Sequence, residues 1–171
     1  INCVVMRDSN EDQLVPLADL TRRHPFHVRF IEYMPIAVDP LTAQRRFMPM
    51  ADVQRRLEQL GPLMALASKN GDGPARRFRF QDAPGEVGFI NSMSEHFCSR
   101  CNRIRLTADG HLRPCLLADE QVSVMDALRG GAGDDEIAAI FAQALAMKKG
   151  EHHLSFGGNC RLRTQMTDIG G

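Results

Sequence analysis

Tryptophan is absent from the sequence, tyrosine occurs once, and aromatic residues make up only 6%. Few π-faces are available for stacking on unpaired bases, which argues against a single-stranded nucleic-acid module. An excess of charge is missing too: Lys plus Arg and Asp plus Glu each total 21. Without a global positive field, any anion site has to be local. Apolar runs fall far short of the roughly 20 residues that a membrane helix needs. No charged, apolar, small-residue leader opens the chain, so a soluble cytoplasmic protein is expected, with no membrane and no nucleic acid as partner. What remains, 43% hydrophobic and 25% charged residues, is ordinary for a globular protein and excludes disordered and fibrous classes. A length of 171 residues suits one sizeable domain, or part of a larger one with a small appended domain.

The first third alternates strand and helix. Residues 1–6 read as a buried strand, Asn10 opens a helix with Leu14, Leu17 and Leu20 on one face, and 27–34 read as a second strand. Strand, helix, strand implies a parallel crossover, and two strands cannot close a parallel sheet alone, so further strands are expected before Ile1. Residues 39–46 read as a loop, and a second helix runs from Pro49 through Val53, Leu57 and Leu60 to Gly61.

From Pro62 onward the pattern changes. Residues 70–74 carry turn chemistry, 76–81 alternate as a half-exposed strand would, and 88–93 form another strand candidate. Residues 103–107 pair with 111–115 across Asp109-Gly110, a hairpin signal. This half therefore reads as a small antiparallel sheet, followed by helices over 123–129 and 134–149, the latter with Asp134 as its cap and Gly150 as its stop.

Five cysteines, an odd number without a secretory signal, point to thiols or metal ligands instead of a disulfide framework. Cys3 sits in the apolar first run as a buried thiol, and Cys160 lies in a polar, glycine-flanked tail with no assignable role. Cys98 and Cys101 fall within one turn of a loop, and Cys115 returns across the hairpin. Clustered thiolates select zinc or an iron–sulfur cluster. A closed zinc site needs a fourth ligand, for which His96 and His111 are near in sequence, whereas three thiolates on a cluster leave one iron open. Composition alone leaves both metals open. Arg103 and Arg105 follow Cys101 at strand spacing, and paired guanidiniums suit phosphate oxygens beside the metal. The plainer alternative is a pair of exposed arginines satisfied by Asp109 or Glu95.

The run Gly88-Phe89-Ile90-Asn91-Ser92-Met93-Ser94-Glu95-His96-Phe97-Cys98-Ser99-Arg100-Cys101-Asn102-Arg103-Ile104-Arg105 resembles the GTP 3′,8-cyclase family of molybdenum-cofactor biosynthesis, radical S-adenosylmethionine lyases. The resemblance extends through Thr107-Ala108-Asp109-Gly110 and Cys115, takes in Val28 to Pro35, and ends with Gly170-Gly171, so that the whole chain is similar to the C-terminal half of that family. It implies an α/β fold: the last part of an incomplete (βα)6 TIM-like barrel, with 1–61 as its final two βα units, and a small α+β auxiliary-cluster region with an antiparallel sheet over 62–171.

By the same resemblance, Cys98, Cys101 and Cys115 would ligate an auxiliary [4Fe-4S] cluster whose open iron meets the guanine base. Arg103, Ile104 and Arg105 would contact GTP, Met34 would lie against S-adenosylmethionine, and the Gly170-Gly171 tail would reach into the catalytic site. Arg29 is a further GTP candidate, although the five positions from 29 to 34 point it away from Met34 under strict alternation. The whole enzyme is expected to convert GTP to (8S)-3′,8-cyclo-7,8-dihydroguanosine 5′-triphosphate, to be a homodimer, and to pass its product to the next molybdopterin-pathway enzyme. The CxxxCxxC motif of the family's first cluster does not occur in these residues, so this chain alone is expected to be inactive. Two rivals stand beside this reading: the auxiliary-cluster region of a peptide-modifying radical enzyme, and a zinc-binding nucleic-acid module.

Overall fold

The computed structural model describes residues 1–67, 73–152, 154–156 and 162. Its first two strands, β1 (Asn2–Val5) and β2 (His27–Glu32), lie parallel, with Cys3 opposite Phe30 and Val5 opposite Glu32. The crossover between them is one turn of 3-10 helix (Glu11–Gln13) running into α1 (Leu14–Arg23). Asn10 does not cap this helix through its side chain. Its Oδ1 accepts the Met6 amide at 2.9 Å and its Nδ2 donates to the Val4 carbonyl at 2.8 Å, which ties the end of β1 to the helix entrance.

Residues 40–46 are not loop but helix, α2 (Pro40–Arg46). Proline suits the first helical turn, Ala43 is buried, and the Arg46 carbonyl at the helix end receives the Arg7 amide at 2.8 Å. The helix is too short to show a periodic apolar stripe, so its stability comes from these tertiary contacts. Next, α3 (Met50–Leu57) has Pro49 as its N-cap, continues as 3-10 helix to Leu60, and stops at Gly61 with φ 121°.

The sheet then grows from the other side. Strands β3 (Leu63–Ala65), β4 (Arg76–Phe80) and β5 (Glu86–Ile90) give the order β1-β2-β5-β4-β3, with β5 parallel to β2 but antiparallel to β4. The strand predicted over 88–93 thus belongs to the same sheet as β1 and β2. It inserts beside β2 because all but the last of its residues are buried, a pattern that demands cover on both faces. The core joins Val5, Val28 and Phe30 to Leu14 and Ala18 of α1, Val53 and Leu57 of α3, and Phe78, Phe80 and Phe89. Phe89 stacks on Phe30 with ring centroids 6.2 Å apart and meets Phe78 edge-on at 5.4 Å. Each such fully buried side chain contributes on the order of 2 kcal/mol.

A second sheet is small and antiparallel: β6 (Arg105–Leu106), β7 (His111–Arg113) and β8 (Val122–Ser123), in that order. The predicted hairpin is present, with Arg105 opposite Arg113 and Leu106 opposite Leu112. Gly110 carries the turn at φ 82°, a conformation that favours glycine. Helices α4 (Met125–Arg129) and α5 (Asp134–Ala146) follow. The cap of α5 is Gly133 instead of Asp134, and the helix ends before Gly150, with Lys148 already outside it. Leu112, Val124 and Ala144 form the small core here, with Ile104, Ile137 and Ile140 packed against it.

The chain divides into two units, Ile1–Met34 with Pro40–Phe97, and Pro35–Asp39 with Cys98–Gly171. Among the described residues, no helix is long and apolar enough to cross a membrane.

Candidate metal centre

Cys98 opens a short 3-10 turn (Cys98–Arg100), and the Cys101 amide donates to the Cys98 carbonyl at 3.1 Å, which closes the turn between the two cysteines. Cys115 comes from the other side of the hairpin, two residues after β7 ends at Arg113. Arg113 is 2% exposed; its guanidinium donates to the Ala118 carbonyl and lies 3.7 Å from the Asp119 carboxylate. It thereby anchors the segment that carries Cys115. The Leu117 amide points at the Cys115 sulfur from 3.4 Å.

All three thiols are free and half-buried, and all three line one cavity of about 430 Å3 in the second unit. Burial pushes the Cys115 thiol up from its ordinary value; the Leu117 amide and Lys148 pull the other way, and Cys98 and Cys101 add to the rise. That mutual influence is what three sulfurs facing a common space produce. Three soft donors with a neighbouring amide donor, on a wall that has no disulfide among these thiols, fit an iron–sulfur cluster or zinc chemically.

Two further residues on the same wall had no signal in the sequence. His152 is buried, accepts the Leu154 amide at Nδ1 (3.3 Å), and has a ring nitrogen within 4.8 Å of the Cys98 sulfur. Lys148 reaches the cavity from just beyond α5. Neither lies at ligand spacing from a cysteine, and only the path of the chain after α5 brings them there. Of the histidines near in sequence, His111 faces Asp109 at 3.1 Å, and His96, in the first unit, has its Nε2 3.1 Å from the Met93 carbonyl.

Arg103 is exposed and precedes β6, so strand alternation does not extend back to it. Ile104 is half-buried against the small core, and Arg105 is half-buried at the first position of β6. Asp109 is occupied by Thr107 and then His111, whose hydrogen bonds hold its carboxyl below the usual carboxylate range, while Glu95 accepts from Arg76 at 2.7 Å. Among the described residues, neither Arg103 nor Arg105 has an ion-pair partner. In the first unit, Arg29 is on the exposed face of β2 opposite Gly88, and Met34 is half-buried two residues past that strand. Gly170, Gly171 and Cys160 lie outside the described residues, as do 70–72 of the expected turn.

A mixed α/β protein with two sheets and a cavity walled by three free thiols is the class that fold and site define. More particularly, the chain belongs to the Molybdenum Cofactor Synthesis C family, which matches residues 26–154. It is 49% identical over 172 residues to the GTP 3′,8-cyclase of Pelotomaculum thermopropionicum, covering 100% of this chain and 52% of that protein. The GTP 3′,8-cyclase of Moorella thermoacetica is 43% identical over 171 residues, again 100% of this chain and 52% of the relative. Human molybdenum cofactor biosynthesis protein 1 is 41% identical over 154 residues, 89% of this chain and 24% of the human protein. The chain spans about half the length of the cyclases it matches.

Proposed function

We propose that this chain is the substrate-binding half of a GTP 3′,8-cyclase, a radical S-adenosylmethionine lyase of molybdenum-cofactor biosynthesis that acts in the cytoplasm. The convergence of Cys98, Cys101 and Cys115 on one cavity carries this reading. Those three thiolates hold an auxiliary [4Fe-4S] cluster, which when bound offers an iron with an open position to the purine. Arg103 and Arg105, whose guanidiniums lack carboxylate partners among the described residues, bind the anionic part of GTP, with Ile104 between them packed against the small core and Arg29 as a further contact. Met34 lies against S-adenosylmethionine, and Gly170-Gly171 complete the catalytic site. The contribution of this half is to bind and orient the nucleotide, the positioning part of catalysis.

In the whole protein, residues 1–61 supply the last two βα units of an incomplete (βα)6 barrel, and the cluster-bearing region lies within 62–171. The radical-generating motif belongs to the remainder. The whole enzyme is a homodimer that hands its product to the next molybdopterin-pathway enzyme.

The test is anaerobic reconstitution with iron and sulfide, followed by visible absorption and metal analysis. A brown protein with about four irons per chain is expected, its spectrum shifting on addition of GTP. Cys98→Ala loses the colour, and Cys3→Ala keeps it because Cys3 belongs to the core of the first unit. A second reading rests on His152, whose ring nitrogen lies within 4.8 Å of the Cys98 sulfur on the cavity that Cys101 and Cys115 also line; the four together would offer a Cys3His set for structural zinc. A colourless chain holding one zinc, lost in His152→Ala, would put that reading in front.

A further inference from the structure

Lys148 stands one residue beyond the C-cap of α5, and its ammonium has three partners, one for each proton. Nζ donates to the Arg103 carbonyl at 2.6 Å and to the Pro114 carbonyl at 3.0 Å, and it lies 3.5 Å from the Cys101 sulfur. The two carbonyls belong to the two segments that present the thiols: Arg103 follows Cys101 by two residues, and Pro114 immediately precedes Cys115. One cation therefore clamps both halves of the cysteine constellation while touching one of its sulfurs.

The charge itself is the unusual part. The neighbouring Lys149 is matched by the Glu120 carboxylate at 2.5 Å, as expected of a lysine on a cavity rim. Lys148 has no carboxylate partner among the described residues; its partners are two neutral carbonyls and a thiol. A clamp alone would need only donors. A full positive charge against sulfur also biases whatever metal group that sulfur binds, because reduction adds negative charge, and charge and hydrogen bonds at the sulfurs set the potential of a thiolate-bound cluster.

We infer that Lys148 is a positioning residue of the metal centre, which holds the Cys101 and Cys115 segments together and raises the reduction potential of the group bound there by its N–H···S contact with Cys101. The inference rests on the iron–sulfur reading of the cavity. It does not require Lys148 to touch the nucleotide, and so it is separable from GTP binding.

The experiment uses the 171-residue chain reconstituted with iron and sulfide, titrated with dithionite and followed by electron paramagnetic resonance. Wild type is compared with Lys148→Gln, which keeps donors but loses the charge, with Lys148→Arg, which keeps the charge, and with Lys148→Met, which loses both. For Lys148→Gln the reduction equilibrium should move about tenfold toward the oxidised form, a fall of about 59 mV for one electron. Lys148→Arg should stay within about twofold of wild type, roughly 18 mV on the same scale. Lys148→Met should show the same fall and also retain less iron per chain. If Lys148→Met does not fold by circular dichroism, the Gln and Arg pair still decides the matter. A Lys148→Gln potential equal to wild type, in a chain with normal iron content, overturns the inference and leaves the cluster reading standing. A wild-type chain that takes up no iron overturns both.

Discussion

The Glu32 carboxylate, at the end of β2, accepts the backbone amide of Met93 at 2.7 Å, across 61 residues of sequence. It also takes the amides of Ser94 at 2.9 Å and Met50 at 3.1 Å, together with the Ser94 hydroxyl. Glu32 is fully buried, so these donors replace water as the solvent of its charge. The segment after β5, which runs on toward Cys98, is thus tied to the end of β2 by this side chain.

Removing that side chain takes the acceptor from the buried Met50 amide and from the amides of Met93 and Ser94 at once. Glu32→Ala should destabilise the chain by about 3 kcal/mol or more in urea unfolding, since each unsatisfied donor costs about 1–3 kcal/mol. Hydrogen exchange at the Met93 and Ser94 amides should accelerate well beyond that at β1. An unchanged unfolding midpoint would mean that water or another acceptor replaces the carboxylate.

Glu86 makes the stability of the sheet depend on pH. Arg77 grips its carboxylate through Nε at 2.8 Å and Nη2 at 3.0 Å, and Arg79 adds a contact at 2.8 Å. The Arg77 hydrogen bond, above all, holds its carboxyl below the usual carboxylate range; burial opposes it, and Arg79 and the charge of Arg77 assist. The folded carboxyl therefore takes up its proton at lower pH than the unfolded one, which titrates near pH 4.3. Its contribution is complete above that value and is lost as the pH falls through the lower folded value. Glu86→Gln should cost about 2 kcal/mol at neutral pH, in the range for hydrogen bonds to charged groups. It should also flatten the acid limb of the stability profile; a variant with the wild-type slope below pH 4 would sink the assignment.

Gly85 marks a crossing too close for any side chain. A Cβ there would lie 2.5 Å from the Phe26 carbonyl oxygen, 2.6 Å from that of His24 and 2.9 Å from the Thr21 Cα, all of them backbone atoms. Backbone cannot step aside as a side-chain tip can, so the Gly85 amide would lose its 2.9 Å bond to the Thr21 carbonyl. Gly85→Ala should cost about 1–3 kcal/mol, the usual range for overpacking, read as a lowered thermal midpoint. Gly150→Ala, with nothing within 4 Å of the added atom, is the control and should change it little.

Local pattern made much of this legible beforehand. The crossover β1-α1-β2, the Asp109-Gly110 hairpin and the Cys98 to Cys101 turn are each set by residues within a few positions of one another, where alternation, helical spacing and turn chemistry act directly. The α2 helix was missed because seven residues are too few to carry a periodic stripe, and its hold on the fold is an amide from Arg7.

By itself, then, the sequence determined which thiols sit on neighbouring pieces of chain, since a two-residue spacer and a tight hairpin leave little freedom over where Cys98, Cys101 and Cys115 end up. Tertiary structure alone decided that β5 slides in parallel beside β2, that Glu32 answers Met93, and that Lys148 and His152 join the cysteine wall. Those pairings depend on burial and on which polar groups are left without water once the chain has closed over long distances. No window of neighbouring residues records that.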